Sequence, residues 1–214
     1  MIKITGIAVE DIPDLPTLEE TVGNAWMGVW RASHPNIKRE DTARKSLAGL
    51  FLLRLMGGEG ELIYPESGRP CFADSNLDFS ISHADTAVFC ALSSPEGEAV
   101  ERIGLDAEEG SRLSDDRLSE LAARWFSKGE LDHFFTSPTR DTFLTLWTRK
   151  EAMVKREGRG LSALGEIDTL GAEETAALAF FSYVVNGTHL TLCADGGVLP
   201  PRAVEMRCFA KTIE

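Results

Sequence analysis

Hydrophobic and polar positions along the chain divide it into long helical stretches and short runs of two-residue period. MIKITGIAVE at the start alternates weakly and predicts a strand. DLPTLEETVGNAW carries helical spacing after its prolines. REDTARKSLAGLFLLRLMGGEGE is polar at its start, strongly apolar in the middle, and followed by Gly57 and Gly58. That pattern predicts a long helix with glycine stop signals. YPESGRPCF reads as a turn-rich connector, and LDFSISHADTAVFCALS as a strand, a short turn at HADT and a second strand.

The second half follows a similar order. ERIGLDAEE has the period of a strand, and Ser127 with Glu130 in WFSKGELDHFF forms a capping box that starts a helix. SPTRDTFLTLWTRKEAMVKREG predicts a second long helix ended by glycines. AFFSYVVNGTHLTLCAD predicts a hairpin turning at Asn186-Gly187, and a short strand near VEMRCFA finishes the sheet. FSISHADTAVFCA and FSYVVNGTHLTLCA share FS, a turn with Thr and a closing Cys-Ala, and each follows a long helix, one opening at EDT and one at RDT. The expectation is an α+β chain of two similar halves, residues 1–101 and 102–214, related by a pseudo-twofold with a site between them.

Composition narrows the class. The chain has 214 residues, 43% hydrophobic and 26% charged, which is ordinary for a soluble globular protein. With 22 Lys plus Arg against 34 Asp plus Glu, its formal charge of −12 argues against a nucleic-acid binder. An anionic ligand must therefore be held by a local positive cluster. Cys71, Cys90, Cys193 and Cys208 show no metal-ligand spacing, and two of them lie in apolar runs. LAGLFLLRLM is interrupted by Arg54 and too short to cross a bilayer, and the N-terminus lacks a secretion signal. A cytoplasmic protein without membrane or nucleic-acid partners is expected.

Several residue sets could carry chemistry. In IGLDAEE, alternation sends Ile103, Leu105 and Ala107 to one face, and Asp106 and Glu108 to the other. Such paired carboxylates suit Mg²⁺, though a solvated acidic face reads the same way. In LWTRKEAMVKREGRGL, Leu144, Trp147, Glu151 and Lys155 fall on one helical stripe, so the acid and the ammonium continue a line of core residues. A surface i,i+4 pair is the alternative. Ser82 and His83 end an apolar strand, and Arg69 sits between Gly68 and Pro70, where it could face an anion or simply a turn. Arg44 and Lys45 lie near the start of the first long helix, where cations oppose the macrodipole and an anionic ligand would offset the cost.

Taken in order, GRPCF, FSISHADTAVFCAL, IGLDAEE, and FSKGE followed by LWTRKEAMVKREGRGL resemble the 4′-phosphopantetheinyl transferases of the surfactin-synthetase-activating (Sfp-like) type. The likeness spans roughly residues 40–165, and W-x-x-K-E-x-x-x-K with I-G-x-D-x-E is its most specific part. The resemblance implies two α+β halves with coenzyme A and Mg²⁺ between them. It implies transfer of the phosphopantetheine arm to a serine of an acyl or peptidyl carrier protein, with release of 3′,5′-ADP, by a protein sufficient as a monomer. It assigns Asp106, Glu108 and Glu151 to the metal, and Arg44, Arg69, Ser82, His83 and Lys155, the second motif lysine, to coenzyme A. Glu151, as base or as ligand, and Lys155 would serve catalysis. Arg69 stands where many relatives carry lysine, which keeps the charge and changes the hydrogen-bond geometry. Arg31, Lys38 and Arg39 are alternatives for completing the 3′-phosphate site. Residues 111–135 offer apolar candidates in WF and HFF for docking the carrier protein. A non-catalytic coenzyme A-binding module and a metal-dependent nucleotide pyrophosphatase remain as alternatives.

Overall fold

The structure, a computed structural model, describes residues 1–66, 68–94, 101–110, 113–198 and 200–208. The chain forms two compact units: Met1–Glu101 with the C-terminal strand, and Arg102–Val198.

In the first unit, β1 (Ile2–Ala8) is followed by α1 (Leu15–Val22), α2 (Asn24–Ser33) and α3 (Glu40–Leu55). A two-residue pair, β2 (Leu62–Ile63) and β3 (Cys71–Phe72), precedes the hairpin of β4 (Asp78–His83) and β5 (Ala87–Ser93). Asp14 caps α1 by accepting the Thr17 N–H at 3.0 Å. The single helical stretch expected after the prolines is broken at Gly23, whose φ of 81° ends α1 and begins α2. The last turn of α3 closes as expected, with Gly58 N–H donating back to the Leu53 carbonyl at 2.8 Å. The sheet order is β4-β5-β1-β9, antiparallel except for the final pair. β9 (Val204–Arg207) runs parallel to β1, so the last strand belongs to the first unit and not to a half running from 102 to 214. Its backbone completes the edge that β1 leaves open. Leu47, Leu50 and Phe51 of α3 bury against Phe79, Val88 and Cys90 of the sheet, with Leu18, Trp26 and Trp30 of the first two helices around them.

In the second unit, β6 (Gly104–Glu108) is followed by α4 (Asp115–Trp125), α5 (Lys128–Thr136) and α6 (Arg140–Glu157). A 3₁₀ segment (Leu161–Glu166) and a single turn, α7 (Ala172–Thr175), lead to the hairpin of β7 (Leu178–Val185) and β8 (Thr188–Asp195). The sheet order is β6-β8-β7, all antiparallel. The hairpin turns at Asn186 and Gly187, both at positive φ as a tight primed turn requires. The capping box at α5 is present in both directions: the Ser127 hydroxyl accepts from Glu130 N–H, and the Glu130 carboxylate accepts from Ser127 N–H.

Phe126, Phe134 and Phe143 build one aromatic cluster, with Phe126 stacked on Phe143 at 5.3 Å between centroids. This corrects the apolar surface expected over residues 111–135. Phe126 and Phe134 are buried, and in that pair of motifs Phe135 is the strongly exposed ring; residues 111 and 112 lie outside the described residues. The four cysteines are unpaired, and Cys90 and Cys193 are buried. Among the described residues, no helix is long and apolar enough to cross a membrane.

β6 and α6 approach closely because of one glycine. A Cβ at Gly104 would collide with the Ala152 carbonyl and fall 2.5 Å from the Arg156 nitrogen, both backbone atoms of α6 that cannot step aside. Gly104→Ala is therefore expected to cost about 1–3 kcal/mol, as overpacking does. Urea unfolding monitored by circular dichroism measures it, and an unchanged midpoint would contradict the contact.

Candidate active site

Strand geometry and the Gly104 contact set the position of the acids. On β6, Asp106 lies opposite Thr191 of β8, and the Thr191 hydroxyl bonds that of Thr148 on α6 at 2.8 Å. The face carrying Asp106 and Glu108 is thus the face covered by α6. The opposite face carries Ile103, Leu105 and Ala107, all buried. From α6, Glu151 meets the two strand acids. One carboxylate oxygen from each of Asp106, Glu108 and Glu151 lies within 4.8 Å of the others, and no other group of this kind occurs among the described residues. Asp106 is 2% exposed, so the solvated acidic strand face is not what forms. The helical stripe holds as read, with Leu144 buried and Trp147 packed partly into the core above Glu151.

Lys155 donates to Asp106 at 2.7 Å, one helical turn beyond Glu151. It is an ion pair inside the acidic cluster and not a surface pair with Glu151 alone. Burial pushes the Glu151 carboxyl up to about 8, the Asp106 and Glu108 charges and a hydrogen bond to Asp106 push the same way, and the Lys155 ammonium opposes them. Three carboxylate oxygens in a half-buried site match the hard-oxygen preference of Mg²⁺, and like charges at this spacing call for a cation among them. The donor set fits that ion.

In the first unit, the N-terminal turns of α3 and the end of β4 line a pocket of about 600 Å³ that includes Arg39, Arg44, Lys45, Ser46 and His83. The Arg44 guanidinium donates to the carbonyls of Ile12 and, at 2.9 Å, Pro13, which fixes its direction along the pocket wall. Lys45 reaches the Asp85 carbonyl at 3.3 Å in the turn after His83. Of the three upstream cations, Arg39 lines this pocket. Arg31 and Lys38 line a second one of about 430 Å³, which Arg39 also borders. Arg31 pairs there with Glu19.

Two further residues expected at the coenzyme, Arg69 and Ser82, lie in the same unit outside the lining of the larger pocket. Arg69 is held toward an anion, but the anion is Asp78 at 2.7 Å, with the Phe79 carbonyl at 3.0 Å as its second acceptor. Ser82 is buried on β4, and by alternation it faces away from Ile81, which packs on α3. Sequence reasoning left Lys150 without a role and gave Glu130 only its cap; the structure pairs them at 2.7 Å with neither side chain exposed.

Comparison with known proteins agrees with these motifs. A profile of the 4′-phosphopantetheinyl transferase superfamily matches residues 102–195, the second unit with its acidic cluster. The 4′-phosphopantetheinyl transferase Sfp of Bacillus subtilis is 37% identical over 101 residues, 45% of this chain and 41% of Sfp. The transferase HetI of Nostoc is 31% identical over 144 residues, 63% of this chain and 58% of HetI. The transferase AcpT of Salmonella typhi is 31% identical over 172 residues, 78% of this chain and 77% of AcpT. The chain belongs to the 4′-phosphopantetheinyl transferase superfamily. It spans about two-fifths of Sfp and three-fifths of HetI, and the match to relatives of several names places it in the superfamily without singling out the Sfp-like type.

The raised Glu151 carboxyl has a measurable consequence. The folded state holds this proton to about pH 8 against an ordinary 4.5, so its contribution to stability is full below about pH 4.5 and lost as pH rises to about 8. In chelator-treated protein, Glu151→Gln should lack that part of the decline. Its Tm should exceed that of wild type above about pH 8 and converge with it toward pH 4.5. Parallel melting curves across this range would contradict the convergence of the three acids.

Proposed function

We propose that this protein transfers the 4′-phosphopantetheine arm of coenzyme A to a serine hydroxyl of an acyl or peptidyl carrier protein, releasing 3′,5′-ADP. The observation that carries this reading is the meeting of Asp106, Glu108 and Glu151 within 4.8 Å, on the two motifs that mark the superfamily. Similar topology in the two units supports the two-half reading: β1–α3–β4–β5 and β6–α6–β7–β8 each run strand, long helix, hairpin, with the hairpin's second strand central in the sheet. The W-x-x-K-E-x-x-x-K motif and the 37% identity to Sfp over 101 residues support the Sfp-like type.

Each group has a task in this chemistry. Arg44, Arg39 and Lys45 give the first unit's pocket the positive charge that the 3′-phosphate of coenzyme A needs in an acidic protein, and His83 lies beside them as a hydrogen-bonding group. Arg69, held by Asp78 at 2.7 Å, and Ser82, next to His83 on β4, are the further groups assigned to coenzyme A. Asp106, Glu108 and Glu151 hold Mg²⁺, which when bound supplies positive charge to the diphosphate and to the oxygen on which charge grows as the bond breaks. Glu151 serves either as the third of those ligands or, directly or through water, as the base that takes the proton of the serine hydroxyl as that oxygen bonds to the phosphorus. The phosphorus–oxygen bond to 3′,5′-ADP breaks, and the Lys155 ammonium balances the departing charge. The protein acts as a cytoplasmic monomer, and the carrier docks through local Arg and Lys contacts beside an apolar patch, since both partners are acidic.

Incubation with coenzyme A, Mg²⁺ and an apo carrier protein tests the proposal by mass spectrometry. A gain of one phosphopantetheine on the carrier supports it, free hydrolysis products support a pyrophosphatase, and neither supports a binding module. Glu151→Gln should abolish transfer and leave coenzyme A binding largely intact, so an active variant removes Glu151 from the mechanism. Lys155→Ala should weaken coenzyme A binding or slow release of 3′,5′-ADP, and if both stay at wild-type values the lysine has no part in either.

A further inference from the structure

Glu130 and Lys150 are an acid and a base with no exposed side-chain surface, and the reaction proposed above gives neither of them a ligand. The Glu130 carboxylate accepts four hydrogen bonds. Ser127 N–H at 2.8 Å and the Lys150 ammonium at 2.7 Å reach one oxygen; Thr169 N–H at 2.9 Å and the Thr169 hydroxyl at 2.7 Å reach the other. Lys150 donates also to the Ile167 carbonyl. Next to it on α6, Arg149 donates to the Thr169 carbonyl at 2.9 Å and lies over the Phe180 ring at 4.1 Å. Two consecutive side chains of α6 thus grip residues 167–169, and Glu130 ties the start of α5 into the same knot.

A buried ion pair adds little net stability, because a well-packed apolar pair of the same volume does as well or better. Its distinctive property is direction: five hydrogen bonds of fixed geometry, with a sixth from Arg149, allow one placement of the helix. Lys150 precedes Glu151, and neighbouring residues on a helix point about 100° apart. A rotation of α6 about its axis that is forbidden at Lys150 is therefore forbidden at Glu151. On another side, the contact of Gly104 with Ala152 holds β6 against the same turn.

We propose that the Glu130–Lys150 pair is a positioning clamp that sets the rotation of α6 and so holds the Glu151 carboxylate against Asp106 and Glu108. The clamp rests on the reading of those acids as a divalent-cation site. Both residues are positioning residues; they touch no substrate.

The test removes both charges together, as Glu130→Leu with Lys150→Met, so that neither is left orphaned in the core. Circular dichroism and cooperative melting establish folding, and Mn²⁺ affinity by electron paramagnetic resonance is the readout. The double variant should bind Mn²⁺ about 10-fold more weakly or worse, in the range seen when residues behind metal ligands are changed, with kcat lowered similarly and KM for coenzyme A near wild type. Phe134→Leu, which thins the neighbouring core without touching the network, should keep wild-type Mn²⁺ affinity. Should the double variant not fold, Thr169→Val takes its place: it removes one donor to Glu130 and should still weaken Mn²⁺ binding measurably. Wild-type Mn²⁺ affinity in the folded variant tested, or an equal loss in Phe134→Leu, overturns the clamp. Wild-type protein that binds Mn²⁺ but transfers nothing contradicts the proposed function alone, since the binding readout needs neither coenzyme nor carrier; wild-type protein that binds no Mn²⁺ overturns both.

Discussion

The approach of β6 to α6 governs the rest of the second unit. A strand packed on a helix through ordinary side chains stands about 10 Å away, too far for short acids on one to meet an acid on the other. Gly104 removes the side chain at the crossing, and the strand backbone lies directly on the turn of α6 that carries Ala152. Two and four residues along, Asp106 and Glu108 then come level with Glu151. The cost of this closeness is electrostatic: three carboxylates share a half-buried space, and the Lys155 ammonium offsets part of their repulsion. That repulsion is set by backbone geometry before any ligand arrives, and it suits the three acids to the cation proposed for them.

Under the proposed function the first unit meets a different problem, that of attracting an anion to a chain with a formal charge of −12. Its solution is local. Arg39, Arg44, Lys45 and His83 gather around the first turns of α3, and the Arg44 side chain is braced on two carbonyls before any anion enters. A pre-oriented cation loses less freedom on binding than a free one. Asp41, from the first turn of α3, lines the same pocket beside these cations.

Much of this was legible in the chain because it depends on local pattern. The long helices, their glycine ends, both hairpins and the capping box of Ser127 and Glu130 follow from neighbours a few residues apart. Asp106, Glu108 and Glu151 could be named from motifs, though their convergence depends on Gly104, whose role is visible only once a helix lies across it. Contacts between distant residues stayed hidden: Arg69 with Asp78, Glu130 with Lys150, and β9 with β1. So did the helix Asp115–Trp125, although Ser114 caps it and Leu118 and Ala122 form its buried face. The rings of WF and HFF read as surface because a short polar helix does not reveal which side is covered; Phe143 on α6 covers it.

The central claim is that one divalent cation sits among Asp106, Glu108 and Glu151. Anomalous scattering from a crystal grown with Mn²⁺ tests it most directly. The account predicts a single strong peak within about 2.2 Å of an oxygen from each carboxylate, with the Lys155 ammonium outside the coordination sphere. A crystal with no peak there, or with the ion bound at other residues, would contradict it.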